Sequence, residues 1–434
     1  MNKSEHRTPE SGQSTVPARQ SVAVLGAGAA GLMAAIWAAS TGAETTLIER
    51  TADGGKKILI SGGGRCNVLP AHLNESRFIT DSSPNTLRKM LRSWPLPEQR
   101  AFFEQELGIP LVEETETGKL FPVSNRARDV RDGLVSMAER RGARLMMNTM
   151  VTEVASDDGH GWLVHRADDE PLHFDSVIIA TGGLSVPATG SDGTGLSILR
   201  ALGHTIHRTY AALTPITAVP APFADLAGVS LTITISATSD ARSASATGGF
   251  LFTHRGYSGP SVLDVSHVAV RSADDHAEPP ARITVRWSKL GDVEWESALH
   301  ASGNRTVAGA VRAHMPDRLA SALIARAAVE STTSLAELKR ADRLRLVDEL
   351  VRGELPWTGH EGYRKAEVTG GGVSLSEVDP RTMESRLHPG LFLCGEVLDA
   401  FGPIGGYNFC WAWATGRAAG KAAASRAARA GRGS

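Results

Sequence analysis

The sequence predicts an α/β protein in which a domain built on a parallel sheet is interrupted by a β-rich segment and a small helical segment. Short apolar runs rich in β-branched residues, typical of buried parallel strands, occur near both ends of the chain. Between them, Thr, Ser and Val alternate with small residues, as in antiparallel strands, and a charged amphipathic helical pattern follows. The 434 residues also exceed what one hydrophobic core usually organises.

The N-terminal region predicts a βαβ unit. Ser21–Leu25 is a short apolar run that ends at a glycine, as buried parallel strands often do. Ala29–Ser40 is rich in alanine and predicts a helix, and Thr45–Glu49 predicts the second strand. The run between residues 22 and 40 approaches the length of a membrane span, but glycines divide it, so a strand, a turn and a buried helix explain it better. Residues 1–20 are polar and predict a disordered leader.

The chain is predicted to leave the parallel-sheet domain and to return to it. Phe174–Ala180 predicts another buried strand, whereas Leu231–Ala237 and Ile283–Trp287 predict antiparallel strands. Arg318–Glu330 and Ser334–Arg352 predict amphipathic helices. We therefore expect a first domain of residues 21–205 and 366–434, a β-rich insert of residues 206–305 and 355–365, and a helical insert of residues 306–354.

A glycine motif lies between the first strand and the first helix. In Gly26-Ala27-Gly28-Ala29-Ala30-Gly31, the first glycine permits a tight turn, the second lets the backbone approach a pyrophosphate, and the third allows close packing of helix on strand. The N–H groups at the helix start would meet the phosphates. Glu49, at the end of the second strand, would accept hydrogen bonds from ribose hydroxyls and repel a 2′-phosphate. The motif predicts a Rossmann-type site for FAD or NAD.

A second glycine-rich segment reads KKILISGGGRCN over Lys56–Asn67. Three consecutive glycines beside Arg65 predict a backbone that a flat or phosphorylated group can approach; the alternative is an ordinary flexible loop. Cys66 in this segment has no resolving cysteine nearby in sequence, which favours a packed thiol over a redox-active one.

Further motifs follow two predicted strands. Thr181-Gly182-Gly183 follows the predicted strand Phe174–Ala180, and Gly395-Glu396 follows a predicted strand at Leu391–Cys394. The carboxyl ends of such strands are where α/β sheets bind cofactors. Glu396 or the nearby Asp399 would bind a ribityl hydroxyl. Gly405-Gly406-Tyr407-Asn408 precedes a predicted helix at 409–428, whose N-terminus would stabilise an anionic reduced flavin. The alternative for this last motif is a capped helix without a ligand.

Candidate proton donors lie in the β-rich segment. GFLFTHRGYSGP, residues 249–260, carries His254 and Tyr257 on a predicted glycine-containing loop that would face a substrate; a structural hairpin turn explains the pattern equally well. The sequence has no GxSxG, HExxH, P-loop or metal-ligand spacing, so we predict no metal site.

Composition bears on partners and compartment. The formal net charge of −1 gives no electrostatic reason to expect nucleic acid, so we expect a small organic substrate, with neither nucleic acid nor a membrane as partner. Three cysteines without a CxxC spacing indicate a reducing cytoplasm.

Together the motifs resemble one protein family over residues 21–428. The stretches that carry the resemblance are GAGAAGLMAA, KKILISGGGRCNV, ATGG, GGFLFTHRGYSGPSVLDVS, EVTGGGVSLSEVDPRTMES and GLFLCGEVLDAFGPIGGYNFCWAWATGRAAG. They are similar to the BaiN/YhiN-type flavoproteins, known as NAD(P)/FAD-dependent oxidoreductases. The resemblance implies an FAD domain, an inserted β-barrel and a small helical domain, with tightly and non-covalently bound FAD.

The motifs and the resemblance together define an expected set of FAD-binding residues. They are Gly26, Gly28, Ala29, Ala30, Gly31, Glu49, Arg50, Lys57, Ser61, Gly62, Gly63, Gly64, Arg65, Cys66, Asn67, Val151, Thr181, Gly182, Gly183, Gly395, Glu396, Asp399, Gly405, Gly406, Tyr407 and Asn408.

The resemblance implies redox chemistry but more than one reaction. Members of the family are linked to reduction of a C=C bond conjugated to a ketone in bile-acid-like steroids, and others to oxidation of aminoacetone. We expect a reductase in which NAD(P)H, as a transient donor, passes hydride through flavin N5 to an enone-like substrate. Because a second GxGxxG is lacking, the nicotinamide would approach the flavin face directly. An amine oxidase using O₂ and a non-catalytic redox sensor are alternatives, and the near-neutral charge disfavours RNA modification.

Overall fold

The computed structural model describes residues 19–157, 160–167, 169–274, 279–301 and 303–426. The expected leader therefore lies outside the described residues, apart from Arg19 and Gln20. Within this range the chain forms two main hydrophobic cores and a small cluster between them.

The first core surrounds a parallel sheet. Its strands lie in the order Leu391–Leu393, Ser176–Ile179, Ser21–Leu25, Glu44–Ile48 and Arg144–Met146. The first helix, Ala29–Ser40, packs against the last helix, Tyr407–Ala424. Side chains at Gly416 and Gly420 would place Cβ atoms only 2.4 Å from Ala30 O and 2.2 Å from Ala34 O, so these glycines permit the close helix contact.

Other elements complete this first core. Its remaining helices are Lys56–Ile60, Pro84–Leu91, Leu96–Ala101, Ala127–Arg140 and Thr194–Ala201, with a π-turn at Phe102–Glu106. Two small antiparallel sheets flank it, one of Leu69–Pro70, Lys119–Pro122 and Leu111–Glu114, the other of Val151–Ser156, Trp162–Arg166 and Leu172–Phe174.

The second core surrounds an antiparallel sheet. Its strands lie in the order Gly353–Glu354, Arg282–Arg286, Ser230–Thr238, Ser243–Thr253, Gly256–Ser258, Ile216–Thr217 and Gly359–His360. The two edge strands are separated by residues 355–358, which span at most about 18 Å. A flat sheet of this width would hold its edges about 29 Å apart. The sheet must therefore roll up, as in a barrel.

Helices cover this rolled sheet. They are Pro260–Asp274, Asp292–Ala298, Val307–Arg312, Asp317–Arg326 and Arg340–Arg352. The helical segment expected at 306–354 shares the hydrophobic core of the sheet, because Leu319, Leu323 and Leu346 belong to the same cluster as Ile235 and Trp287. Its helices are shorter than the sequence predicts, and they pack as a cover on the sheet.

The longest helix that the sequence analysis did not predict lies in the second core. Pro260–Asp274 lies in the segment that we expected to be β-rich, where valine and serine are weak helix formers. Val262, Val265 and Ala269 are nonetheless spaced as one buried helical face, and burial of that face outweighs the weak propensity. Two antiparallel strands, Ile206–Ala212 and Val368–Val373, carry the chain between the two cores.

Candidate cofactor and substrate cleft

A cleft of about 570 Å³ runs along the carboxyl ends of the parallel strands and ends against helix Pro260–Asp274. Its volume lies in the usual range for ligand sites. The predicted residues that line it are Gly26, Gly28, Ala29, Ala30, Glu49, Arg50, Lys57, Ser61, Gly62, Gly63, Arg65, Asn67, Val151, Thr181, Gly182, Gly395, Glu396, Gly405, Gly406 and Asn408.

The glycine motif forms one end of the cleft. Gly26 has φ of 98°, and a Cβ there would lie 2.7 Å from Ala180 O. A Cβ at Gly31 would lie 1.8 Å from Gly26 O, so only glycine lets the helix approach the strand. At Gly28, by contrast, a Cβ would meet nothing within 4 Å. This glycine leaves open space toward the cleft, as the approach of a pyrophosphate requires.

Glu49 is held in a fixed orientation at the same end. Its Oε2 accepts a hydrogen bond from Ala27 N at 2.8 Å, and its Oε1 accepts from the N–H and the hydroxyl of Thr51, each at 2.8 Å. The residue is 8% exposed and lines the cleft. Oε2 keeps a further acceptor position, so Glu49 can also bind a ribose hydroxyl.

Arg50 forms an ion pair with Asp192 at the mouth of the cleft. Burial opposes ionisation of Asp192, but hydrogen bonds from Arg50 and Thr194 lower the pKa of its carboxyl. The ion pair therefore joins the end of the second strand, where Arg50 lies, to the segment that precedes helix Thr194–Ala201. Asp192 was not predicted from the sequence.

The SGGGRCN segment turns sharply along the cleft. Gly62, Gly63 and Gly64 have φ of 56°, 67° and 85°, a left-handed backbone that favours glycine. A Cβ at Gly63 would meet nothing within 4 Å, and Gly63 lines the cleft. Arg65 covers the Phe121 ring at 4.0 Å and pairs with Glu114 at 3.1 Å. The glycines thus expose backbone toward the cleft.

Lys57 and Glu396 join two distant segments at the middle of the cleft. Lys57 Nζ lies 2.7 Å from Glu396 Oε2, and Glu396 Oε1 accepts from Ser185 Oγ at 2.6 Å and from Thr369 N at 2.9 Å. Burial favours the neutral acid, but the adjacent Lys57 ammonium and these donors hold the pKa of Glu396 below its ordinary value. Glu396 is therefore an ionised acceptor in the cleft.

The last helix begins beside the glycine-rich segment. With its amide nitrogen donating to Leu69 O at 3.1 Å, Asn67 accepts from Gly406 N at 3.0 Å. Asn408 accepts from Gly402 N and donates to Gly402 O, both at 2.9 Å. These amides fix the turn that presents the helix N-terminus to the cleft.

The far end of the cleft contains residues that the sequence did not identify as a site. Pro260 and Leu263 come from the inserted helix, and Phe401 and Ile404 come from the turn before the last helix. Glu367 lies among them with its side chain exposed to the cleft. The pKa of Glu367 is raised to about 7, mainly because the surrounding protein desolvates the carboxyl group; Lys119 opposes this shift and Asp264 adds to it. The sequence did contain a signal for Glu367, because this residue is the first of EVTGGGV, which belongs to one of the stretches that carry the family resemblance.

Several predicted FAD contacts lie away from the cleft lining: Gly31, Gly64, Cys66, Gly183, Asp399 and Tyr407. Asp399 is 2% exposed, and its Oδ2 accepts from Thr80, Asp81 and Ser82, so it fixes a loop and does not face the cleft. Cys66 is buried, and desolvation raises the pKa of its thiol to about 12, which excludes a thiolate nucleophile at neutral pH.

The two predicted proton donors also lie outside the cleft lining. His254 is exposed in the tight turn between Ser243–Thr253 and Gly256–Ser258, which is the hairpin alternative. Tyr257 is 1% exposed, and its hydroxyl donates to Pro356 O at 2.9 Å. Burial also raises the pKa of Tyr257. Backbone pairing between Ser243–Thr253 and Gly256–Ser258 therefore places both residues in the sheet of the second core.

The residues of the cleft fit FAD. Glycines stand wherever a Cβ would fill the path of an extended ligand, as at Gly28 and Gly63. Glu49 suits a ribose, and Lys57 with Glu396 offers polar partners midway. The opposite end is lined by the apolar side chains of Leu263, Phe401 and Ile404, which suit a flavin ring and a substrate.

Two kinds of feature are absent from the described residues. No group of three or more His, Cys, Asp or Glu side chains in the described ranges is arranged to hold a metal ion. Within the same ranges, no helix has both the length and the apolar character needed to cross a bilayer.

Comparison with known proteins gives one family and several relatives. The HI0933-like protein Rossmann domain family matches residues 20–422. A ribosomal RNA dihydrouridine synthase from Escherichia coli (strain K12) is 33% identical over 402 residues, which cover 90% of this chain and 95% of that protein. A 3-dehydro-bile acid delta(4,6)-reductase from Clostridium scindens is 31% identical over 415 residues, which cover 93% and 99%.

Among solved structures, a 3-ketosteroid delta1-dehydrogenase from Sterolibacterium denitrificans has the same overall fold. It matches with a TM-score of 0.51 at 12% identity, covering 94% of this chain and 100% of that chain. The family match and the two sequence relatives extend over both hydrophobic cores and the whole cleft. The chain therefore belongs to the HI0933-like family of BaiN/YhiN-type, flavin-dependent oxidoreductases.

Proposed function

We propose that this protein is an FAD-dependent reductase of a C=C double bond conjugated to a carbonyl. The observation that carries the proposal is the chemical difference between the two ends of the cleft. One end offers glycine backbone and Glu49 for a nucleotide, whereas the other offers Leu263, Phe401 and Ile404 around a carboxyl group. Such an end suits a largely apolar, electron-poor substrate that must receive a proton.

In this proposal, the residues of the chain bind FAD and orient it in the cleft. Glu49 holds a ribose, and the exposed N–H groups at the start of helix Ala29–Ser40 bind the pyrophosphate. Lys57 and Glu396 bind the ribityl chain, and the N-terminus of helix Tyr407–Ala424 favours negative charge on the ring beside it. FAD, when bound, supplies the hydride. Leu263 and Pro260, from the inserted helix, keep water from the reacting end.

NAD(P)H is the proposed hydride donor. A second glycine fingerprint for a dinucleotide is lacking in the sequence, so the nicotinamide would enter the substrate end and leave before the substrate binds. In this order of binding, NAD(P)H and the substrate would occupy the same end of the cleft in turn, the first with the oxidised cofactor and the second with the reduced one.

A second candidate substrate is a uridine in ribosomal RNA. The expectation that nucleic acid is excluded rested on net charge alone, and the relatives from E. coli and Haemophilus influenzae are both named ribosomal RNA dihydrouridine synthases. The reaction is the same in kind, because the C5=C6 bond of uracil is conjugated to a carbonyl. A flipped base would need only the cleft, and contacts to phosphates would supply the affinity.

The proposal is tested in two steps on the purified protein. We expect flavin absorbance to co-purify and to bleach anaerobically with NADH or NADPH. The reduced protein is then mixed with 4-androstene-3,17-dione, or with ribosomal RNA from cells that lack the protein. Flavin reoxidation with formation of the saturated ketone or of dihydrouridine supports the proposal. Bleaching by aminoacetone with peroxide formation, and none by NAD(P)H, contradicts it in favour of an amine oxidase.

A further inference from the structure

We infer that Glu367 is the proton donor of the reaction, delivering a proton to the substrate carbon next to the carbonyl. The inference rests on the proposed function and adds to it the residue that completes the reduction. The two donors expected from the sequence lie outside the cleft lining, whereas Glu367 lies within it.

The backbone fixes Glu367 at the junction of the two cores. Its N–H donates to Leu213 O at 3.1 Å, and strand Val368–Val373 begins at the next residue. Two residues later, Thr369 N donates to Glu396 at 2.9 Å. The same short segment therefore positions both Glu367 and the cofactor-binding carboxylate, which sets their separation along the cleft.

Among the described acidic residues that line the cleft, only Glu367 has no hydrogen bond or ion pair to its side chain. The others are engaged: Glu49 with Thr51, Asp53 with Arg131, Asp192 with Arg50, and Glu396 with Lys57. A carboxyl group that keeps its proton for transfer must be free of such donors, because each of them would favour the ionised form.

The charges around Glu367 suit this role. Lys119, whose side chain lies beside Gly405, stabilises the ionised form of Glu367 by its positive charge. Asp264, on helix Pro260–Asp274, destabilises that form by its negative charge. Asp264 is itself held by Ile404 N at 2.7 Å and Arg77 at 3.2 Å. Desolvation dominates and raises the pKa of Glu367 to about 7, where an acid transfers protons efficiently near neutral pH.

The reduction adds one hydride and one proton across the double bond. FAD, when bound and reduced, would supply a hydride that forms the new C–H bond at the β carbon, while the electron pair of the double bond moves toward the carbonyl. The α carbon then takes the Glu367 proton. The products are a saturated carbonyl compound and a Glu367 carboxylate, which water reprotonates. A dihydronicotinamide would supply the two electrons for the next turnover and become oxidised.

The test compares Glu367→Gln with the matched control Glu361→Gln, which lies outside the cleft lining and six positions earlier. The reduced variant is mixed, for a single turnover, with the compound that the wild-type protein reduces, either 4-androstene-3,17-dione or ribosomal RNA. We expect the flavin of Glu367→Gln to be reoxidised at least about 100-fold more slowly than that of the wild type. Bleaching by NAD(P)H should stay within twofold. The control should match the wild type in both steps, and Glu367→Asp should recover part of the rate.

A second readout does not depend on turnover. In holoprotein labelled with [δ-¹³C]glutamate, one carboxyl resonance should titrate near neutral pH and be missing from Glu367→Gln. Asp264→Asn, which removes the repelling charge, should shift that titration to lower pH. The inference is overturned if the missing resonance titrates in the ordinary glutamate range, or if Glu367→Gln reduces the substrate at the wild-type rate. Failure of the wild-type protein to reduce either substrate would instead overturn the proposed function.

Discussion

The two ends of the cleft are built in different ways. The nucleotide end consists mostly of backbone from short continuous segments, residues 26–31 and 61–64, shaped by glycine. The substrate end consists of side chains from separate segments, with Leu263 from helix Pro260–Asp274 and Glu367, Phe401 and Ile404 from the C-terminal part of the chain. A backbone site tolerates almost no change at its glycines, whereas a side-chain site can change its chemistry without changing the fold.

The largest expected effect concerns the glycines of the nucleotide end. Gly31→Ala would place a Cβ 1.8 Å from Gly26 O, so we expect it to lower the free energy of unfolding by at least about 3 kcal/mol and to abolish co-purification of flavin. Gly28→Ala meets no protein atom within 4 Å and has φ of −76°. It should leave the apoprotein's stability nearly unchanged yet weaken FAD binding at least about tenfold.

Urea unfolding and flavin titration separate the two effects. Equal loss of apoprotein stability in Gly28→Ala and Gly31→Ala would break the distinction between a glycine needed for packing and a glycine needed for the ligand.

The next effect concerns the middle of the cleft. Lys57→Met removes the partner of Glu396, whose side chain is 17% exposed, and should destabilise the apoprotein by about 1–3 kcal/mol at pH 7. The folded state depresses the pKa of Glu396, so this stabilisation is present above the unfolded pKa of about 4.3 and is lost as pH falls through the folded value. The difference between variant and wild type should therefore shrink in acid.

Lys56→Met is the matched control on the same helix, since Lys56 has no salt bridge to a described residue. Urea unfolding of both variants between pH 3 and 8, roughly spanning the carboxyl titration, checks the sign. A Lys57→Met deficit that grows as pH falls would contradict the assignment of Glu396 as an ionised partner.

A smaller effect is expected in the inserted sheet. Tyr257→Phe removes the hydrogen bond to Pro356 O and should cost about 0.5–1.5 kcal/mol of stability. His254→Ala, in an exposed turn, should stay within about 0.5 kcal/mol. Neither should change the single-turnover rate by more than about twofold. A larger rate loss, with stability intact, would return that residue to the candidates for proton donor.

The smallest effect concerns the thiols. Cys66, Cys394 and Cys410 are all buried, and burial raises the pKa of each, to about 12 for Cys66. Iodoacetamide should therefore label none of them in the native protein near pH 7.5, roughly neutral, and all three in urea. Mass spectrometry distinguishes the sites. Rapid native labelling of Cys66 would show a reactive thiol at the glycine-rich segment.

The sequence by itself determined the nucleotide end of this protein. Gly26, Gly28 and Gly31 have separate steric reasons to be glycine, and those reasons depend on one strand, one turn and one helix. Glu49 follows from the same unit. Local geometry of this kind leaves a spacing in the chain, so the strand Ser21–Leu25 and the helix Ala29–Ser40 have the predicted bounds.

Only the tertiary structure decided the substrate end. Asp399 and Tyr257 have residue types that suit a site, yet packing turns the first toward Ser82 and the second toward Pro356. Glu367 and Leu263 meet at one cleft although about a hundred residues separate them in the chain. A side chain's environment depends on how distant segments come together, and no short-range spacing records that arrangement.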